Sequence, residues 1–284
     1  TTTTTTTMEQ LVTSLKKQFA NNGFNIVEPF MVNDYNNACK YKLNNMGNDN
    51  AMGLVVGCSK HFWEHFVRFI VDLDQIPKDP MNTFCLTTIE QVLSSNDEAQ
   101  KHRFDVRYDW NTVQSGRYAH MQTAGHFAGV AHYDQDVMWS IHPEYGLWFV
   151  FRAIIVFDVP FTGERPTPAR NLFTTEAKRE MMKWTTVAID EGWSNLETRL
   201  KIRESCPHGR ELYRYEGDMF DYFYPIQRSA RSVLESIIQQ HDSTVEGRLR
   251  KQSSSSSATP CNDDTIVPVS VPLVSTVPDT IMLQ

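Results

Sequence analysis

Residues 147–157 read LWFVFRAIIVF, an apolar run broken once, by Arg152. Aromatic and β-branched residues dominate it, the composition of a strand buried on both faces. No stretch of the chain approaches the roughly 18 consecutive apolar residues of a membrane-crossing helix. The run therefore has to sit inside a folded core, with a guanidinium in its middle. A buried guanidinium is costly unless it is paired. Either Arg152 makes a structural salt bridge, or its planar fork anchors an anionic ligand.

The text around the run sets the fold class. VMWSIHPEYG before it reads as a strand and a turn at His142–Gly146, leading into the long strand. FNIVEPFMV reads as a strand with one proline, an edge position, and AMGLVVGCS as a short buried strand. Residues 103–110 alternate: Phe104, Val106, Tyr108 and Trp110 face one way, and Arg103, Asp105, Arg107 and Asp109 the other. Helices are predicted over 8–22 with Gly23 as the stop, 60–73, 174–190 and 227–241; the Ala/Gly-rich segment 118–132 would, if helical, make a thin helix. NNACKYKLNNMGNDN and GERPTPA are loops, and 193–223 is mixed. The expected class is α+β, with a largely antiparallel central sheet flanked by helices. The interior glycines of 118–132, Gly125 and Gly129, each cost about 1 kcal/mol against alanine in a helix, so close approach by another body is expected there.

The boundaries follow composition. Thr1–Thr7 is a low-complexity leader, residues 8–245 form the folded domain, and 246–284 are a Ser/Pro-rich tail expected to be disordered. With 27 Lys+Arg against 34 Asp+Glu, the formal charge of −7 argues against a nucleic-acid partner. No charged n-region precedes an apolar h-region, so no secretory signal is expected. The cysteines are Cys39, Cys58, Cys85, Cys206 and Cys261, an odd number with no C-x-x-C pair. That usage fits free thiols in a reducing cytoplasm.

Short catalytic motifs are absent: G-x-S-x-G, G-x-G-x-x-G and G-x-x-x-x-G-K-[ST] do not occur. His61 and His65 stand four apart on a predicted helix, but in HFWEH rather than H-E-x-x-H, and His120, His126 and His132 are six apart. No protein-bound metal is expected. Cys58 reads as a buried, inert thiol rather than a nucleophile. The 32 aromatic residues (6 Trp, 10 Tyr, 16 Phe) exceed ordinary core needs, and some could line a pocket for a large planar ligand.

QTAGHFAG at 122–129 and IHPEYGLWFVFR at 141–152, with GFNIVEPFMVNDYN at 23–36 and PIQR at 225–228, resemble the methylmalonic aciduria and homocystinuria type C family. The resemblance spans roughly residues 8–240. It implies a nitroreductase-like fold and a protein that binds vitamin B12 derivatives and removes their upper axial ligand. Alkyl groups would go to glutathione thiolate, and cyanide would leave reductively with electrons from a reduced FMN or FAD. The cobalamin would then pass to a type D trafficking protein, with methionine synthase as a further partner. The resemblance assigns the glutathione arginines to Arg152, Arg203 and Arg228, with Arg199 and Arg210 as competitors of Arg203. It places Gln122, His126, Gly129, Ser140, Ile141, His142 and Trp148 at the cobalamin.

Two departures stand out. Ala124 replaces the aspartate of the B12 signature D-x-H-x-x-G, so His126 is not assumed to ligate cobalt, and Ser140 stands where the family can carry a cysteine. The competing readings are a flavin-dependent oxidoreductase of the same fold and a non-catalytic cobalamin chaperone.

Overall fold

The computed structural model describes residues 7–253, with side chains to residue 244; Cys261 and 254–284 of the expected tail, with Thr1–Thr6, lie outside the described residues. The LWFVFRAIIVF run lies mostly in β6 (Phe149–Pro160), flanked by β2 (Ala51–Ser59) and β3 (Phe104–Tyr108). β1 (Ile26–Met31) completes a four-stranded sheet in the order β1-β2-β6-β3, antiparallel throughout. β1, with Pro29, lies at the edge as expected.

Every residue of β2 and the first nine of β6 are buried because helices cover both sheet faces. On one face, α1 (Thr7–Ala20), α3 (Trp63–Val71), α4 (Pro80–Ser95), α9 (Gly217–Phe223) and α10 (Ala230–Ser253) supply Leu15, Phe66, Phe84, Met219 and Leu234 to a core with Leu54, Ile155 and Phe157. On the other, α2 (Val32–Ala38) and α5 (Met121–Phe127) pack Tyr35 and Ala124 against Phe30, Phe151 and Ile154. A third cluster joins Trp139, Ile141 and Leu147 to α6 (Thr175–Asp190) and α7 (Leu196–Glu204). The expected α+β class, with its antiparallel sheet between helices, is what the chain forms.

Several boundaries differ from the sequence reading. Residues 36–38, expected in a loop, finish α2. α4 carries no strong periodicity; Asp79 caps it, accepting from the Asn82 N–H, with Pro80 at its first turn. The strand before the His142–Gly146 turn is only β5 (Trp139–Ile141), and it pairs with β4 (His132–Asp134) rather than with β6. β6 is already bonded along both edges, so the hairpin survives only as the bridge between His142 and Gly146. The last helix runs to Ser253, past the expected tail boundary at 245. Within 118–132 only α5 is helical, and Gly129, at φ +69°, follows its end. Its interior glycine serves packing: a Cβ on Gly125 would overlap the Phe151 ring. No described helix is long and apolar enough to cross a membrane.

Candidate functional site

A one-residue slip in the sheet creates the site. Val56 pairs with Ala153 but Gly57 pairs with Phe151, so Arg152 is an extra residue opposite β2, a β-bulge. Bulges re-aim side chains and recur beside active sites. Phe149 and Phe151 before the bulge share a core with Ile154 and Val156 after it, so the alternation shifts by one at Arg152. The guanidinium turns to the side of Val150, fully buried, and lines a cavity of about 100 Å³.

Asp109 stands opposite Arg152, one residue past the end of β3. The β3 ladder ends at Tyr108, whose N–H donates to Asn111 Oδ1, while the Asp109 N–H still donates to the Arg152 carbonyl at 3.1 Å. The carboxylate, expected on the outer face with Arg103, Asp105 and Arg107, turns inward instead. Arg152 Nη1 donates to Asp109 Oδ2 at 3.0 Å, and the Asp109 side chain is only 8% exposed. Burial pushes its pKa up to about 6, against the pull of Arg152. The salt-bridge reading of Arg152 thus holds, and the paired guanidinium also lines a cavity.

α7 brings two more cations. Asn195 caps it, accepting from the N–H groups of Glu197 and Thr198. Arg199 and Arg203, four residues apart, share one face of that helix, and both line the cavity. The Arg203 guanidinium sits 5.7 Å from the Trp139 ring, 5.4 Å from Trp148 and 5.4 Å from Tyr215, a cation held by aromatic faces. Tyr224 and Phe223 complete that wall. Arg199 is half-buried, the most exposed of the three arginines. Three guanidiniums and one carboxylate leave the lining with two surplus positive charges.

Buried polar atoms without partners cluster here: Trp139 Nε1 and Arg203 Nε as donors, Asp109 Oδ1 as acceptor and the Tyr215 hydroxyl as either. Folded proteins leave few such atoms unpaired, and these four on one lining make the cavity the candidate ligand site. Cys58 is different. Burial pushes its thiol up to about 11 despite Arg152 nearby, so it stays protonated, as the inert reading expects.

Trp139 also walls a second, much smaller space of about 10 Å³ with Gln122, Ser140, Leu147, Phe149 and Phe151. Gln122 Nε2 donates to the Met138 carbonyl at 2.9 Å, and Ser140 Oγ is buried without a partner. His126 lies outside that space, its ring 5.8 Å from His132; burial and that neighbour hold its pKa below the usual histidine range. Gly129 ends α5, where a Cβ would strike the Thr167 carbonyl. Ile141 is buried in the third cluster. Trp148 is buried against Arg203, with Arg214 at 5.8 Å. His142 stacks on Tyr145 at 4.3 Å, and its Nδ1 accepts from the N–H groups of Glu144 and Tyr145. Burial lowers its pKa to about 4, so the ring is neutral.

Arg228, which the resemblance assigns to glutathione, does not line this cavity: it pairs with Asp218 and Asp221, the latter at 3.1 Å, on the half-exposed turn before α10. Arg210, at the start of α8 (Arg210–Tyr213), donates to the Glu204 carbonyl at 2.6 Å. Arg199, the other competitor of Arg203, lines the cavity beside it, with Asp109, Trp139, Tyr215 and Tyr224. The four-residue spacing of Arg199 and Arg203 was the available signal. Among the described residues, no three His, Cys, Asp or Glu side chains group as a metal site.

Comparisons with known proteins agree with this architecture. A chicken (Gallus gallus) protein named cyanocobalamin reductase / alkylcobalamin dealkylase is 26% identical over 157 residues, 48% of this chain and 63% of the relative. The chain thus aligns with less than two thirds of that relative's length. The crystal structure of a C. elegans B12-trafficking protein, CblC, superposes with a TM-score of 0.63 at 19% identity, covering 82% of this chain and 96% of that one. It shares the fold. The sequence profile of the methylmalonic aciduria and homocystinuria type C family matches residues 23–185, more than half of the chain, and the protein belongs to that family.

Proposed function

We propose that this protein binds vitamin B12 derivatives and removes their upper axial ligand, using glutathione thiolate as the acceptor of alkyl groups. The observation that carries this reading is the convergence of Arg152, Arg199 and Arg203 on one cavity. Corrin amides call for hydrogen bonds, not three guanidiniums. A tripeptide with two carboxylates and a thiol calls for such a set, because arginine forks bind carboxylates in pairs of hydrogen bonds. The surplus positive charge also lowers the pKa of a bound thiol and favours the thiolate, the nucleophilic form.

In the proposed step, thiolate sulfur attacks the alkyl carbon. The carbon–cobalt bond breaks with its electron pair on the metal, giving a thioether and cob(I)alamin. The protein's part is to hold the thiol, exclude water and keep positive charge beside the sulfur. Trp139 separates the arginine cavity from Gln122 and Ser140, so the corrin side is assigned to that second wall, with Gln122 and Ser140 Oγ available for peripheral amides.

Reductive removal of cyanide belongs to the same proposal, with FMN or FAD as the reductant. No described residue is assigned to a flavin, and no step is routed through one held in this chain. We place the protein in the cytoplasm and propose onward transfer of cobalamin to a type D trafficking protein and to methionine synthase.

The test is an anaerobic spectrum of the protein with methylcobalamin, before and after glutathione. A cob(I)alamin spectrum that forms with the wild type and not with Arg203→Ala supports the reading. Cobalamin binding without conversion would favour the chaperone, and no spectral change on mixing would remove cobalamin as the substrate.

A further inference from the structure

The cavity is not simply cationic. Asp109 places a carboxylate among three arginines, and its two oxygens differ. Oδ2 accepts from Arg152 Nη1 at 3.0 Å, which fixes the group, while Oδ1 is buried on a cavity-lining residue with no partner. The side chain is 8% exposed. If Asp109 served only to neutralise Arg152, a free buried acceptor at the ligand space would be an uncompensated cost. The donors left unpaired on the same lining, Trp139 Nε1 and Arg203 Nε, call for an anion, and the free carboxylate oxygen of Asp109, the one anionic acceptor among the lining residues, calls for a cationic donor; the unpaired Tyr215 hydroxyl can serve either. A ligand that answers both is a zwitterion.

We propose that Asp109 recognises the α-ammonium of the co-substrate and so makes the site selective for amino-acid thiols over thiol carboxylates; this rests on the thiol reading above. An ammonium offers three donors on a compact charge, one of which Asp109 Oδ1 would accept while the arginines take the carboxylates. The charges then close. Glutathione thiolate, with two carboxylates, one ammonium and one sulfur anion, carries two net negative charges against the two surplus positive charges of the lining. Without the ammonium, the ligand would exceed the cavity by one charge and face Asp109 carboxylate to carboxylate.

The test is titration calorimetry of the full chain, without cobalamin, against glutathione and against glutaryl-cysteinylglycine. The second ligand has the same thiol and both carboxylates and lacks only the α-amino group. The wild type is expected to bind it at least about tenfold more weakly, as befits one charge-assisted hydrogen bond. Asp109→Asn, which can still accept from Arg152, is expected to bring glutathione down to the affinity of the des-amino ligand without weakening the latter. Equal binding of the two by the wild type, a comparison that needs no variant, overturns the inference and leaves the thiol reading standing. A variant that weakens both alike also overturns it, since Asp109 would then act only through Arg152. Binding of neither ligand overturns the thiol reading and this inference together.

Discussion

Arg152 and Asp109 face each other across neighbouring antiparallel strands, joined by a 3.0 Å ion pair at the point where β6 bulges. Both side chains are buried, so each charge depends on the other. Removing one partner strands the other, and Arg152→Ala or Asp109→Ala should each cost about 3–5 kcal/mol in urea unfolding. Replacing both, as in the Arg152→Met/Asp109→Leu double variant, should restore stability to within about 2 kcal/mol of wild type while abolishing glutathione binding. A double variant as unstable as the singles would mean that these residues support the sheet by something other than their mutual charge.

The cations are expected to divide by location. Arg199→Ala removes a guanidinium that lines the cavity and should weaken glutathione binding at least about tenfold. Arg228→Ala removes one bonded to Asp218 and Asp221 on a half-exposed turn. It should change that affinity less than about twofold and cost under about 1 kcal/mol of stability. Calorimetric titration of both variants decides; a large loss in Arg228→Ala alone would restore the sequence assignment.

Gly125→Ala should destabilise by about 1–3 kcal/mol, because the new methyl must displace the Phe151 ring from the adjacent strand. Adding Phe151→Leu should recover part of the loss. Thermal unfolding that finds Gly125→Ala neutral or stabilising would show that α5 can move off the sheet freely.

His142 makes stability depend on pH. Its pKa is lowered to about 4 in the folded chain, against about 6.5 when unfolded. As pH falls, the unfolded chain takes the proton first, so this contribution is full above about pH 6.5 and is lost towards pH 4. The shift corresponds to about 3 kcal/mol, reduced to about 2 because the ring is partly exposed. Asparagine can accept the same backbone N–H groups without titrating, so the advantage of wild type over His142→Asn should grow from pH 4.5 to 7. Asp109 titrates in both proteins and cancels in the difference. Parallel urea-unfolding curves across that range would exclude the ring as the source.

Much of the scaffold was legible because it is local. The apolar run of β6, the alternation of 104–108 and the Phe62, Phe66, Ile70 stripe each declare a periodicity, and packing follows it. Cys58 was readable as inert, and Arg152 as a charge in need of a partner. That partner was not readable. Strict alternation puts Asp109 on one face with Asp105 and Arg107, but β3 ends at Tyr108, and past it Asp109 turns to the bulged Arg152. The surroundings of Arg228 were hidden for the same kind of reason: nothing in PIQR announces that it will pair with Asp218 and Asp221.

The sequence by itself therefore determined the family, the α+β class and the requirement that a strand carry one buried cation, since these rest on residue type and spacing along the chain. Only the tertiary structure decided which charges meet. A bulge shifts side-chain direction by one residue without altering composition, and the face of α7 that carries Arg199 and Arg203 comes to line one cavity with Arg152 only through tertiary packing. Those choices depend on contacts between segments far apart in sequence, which no local pattern encodes.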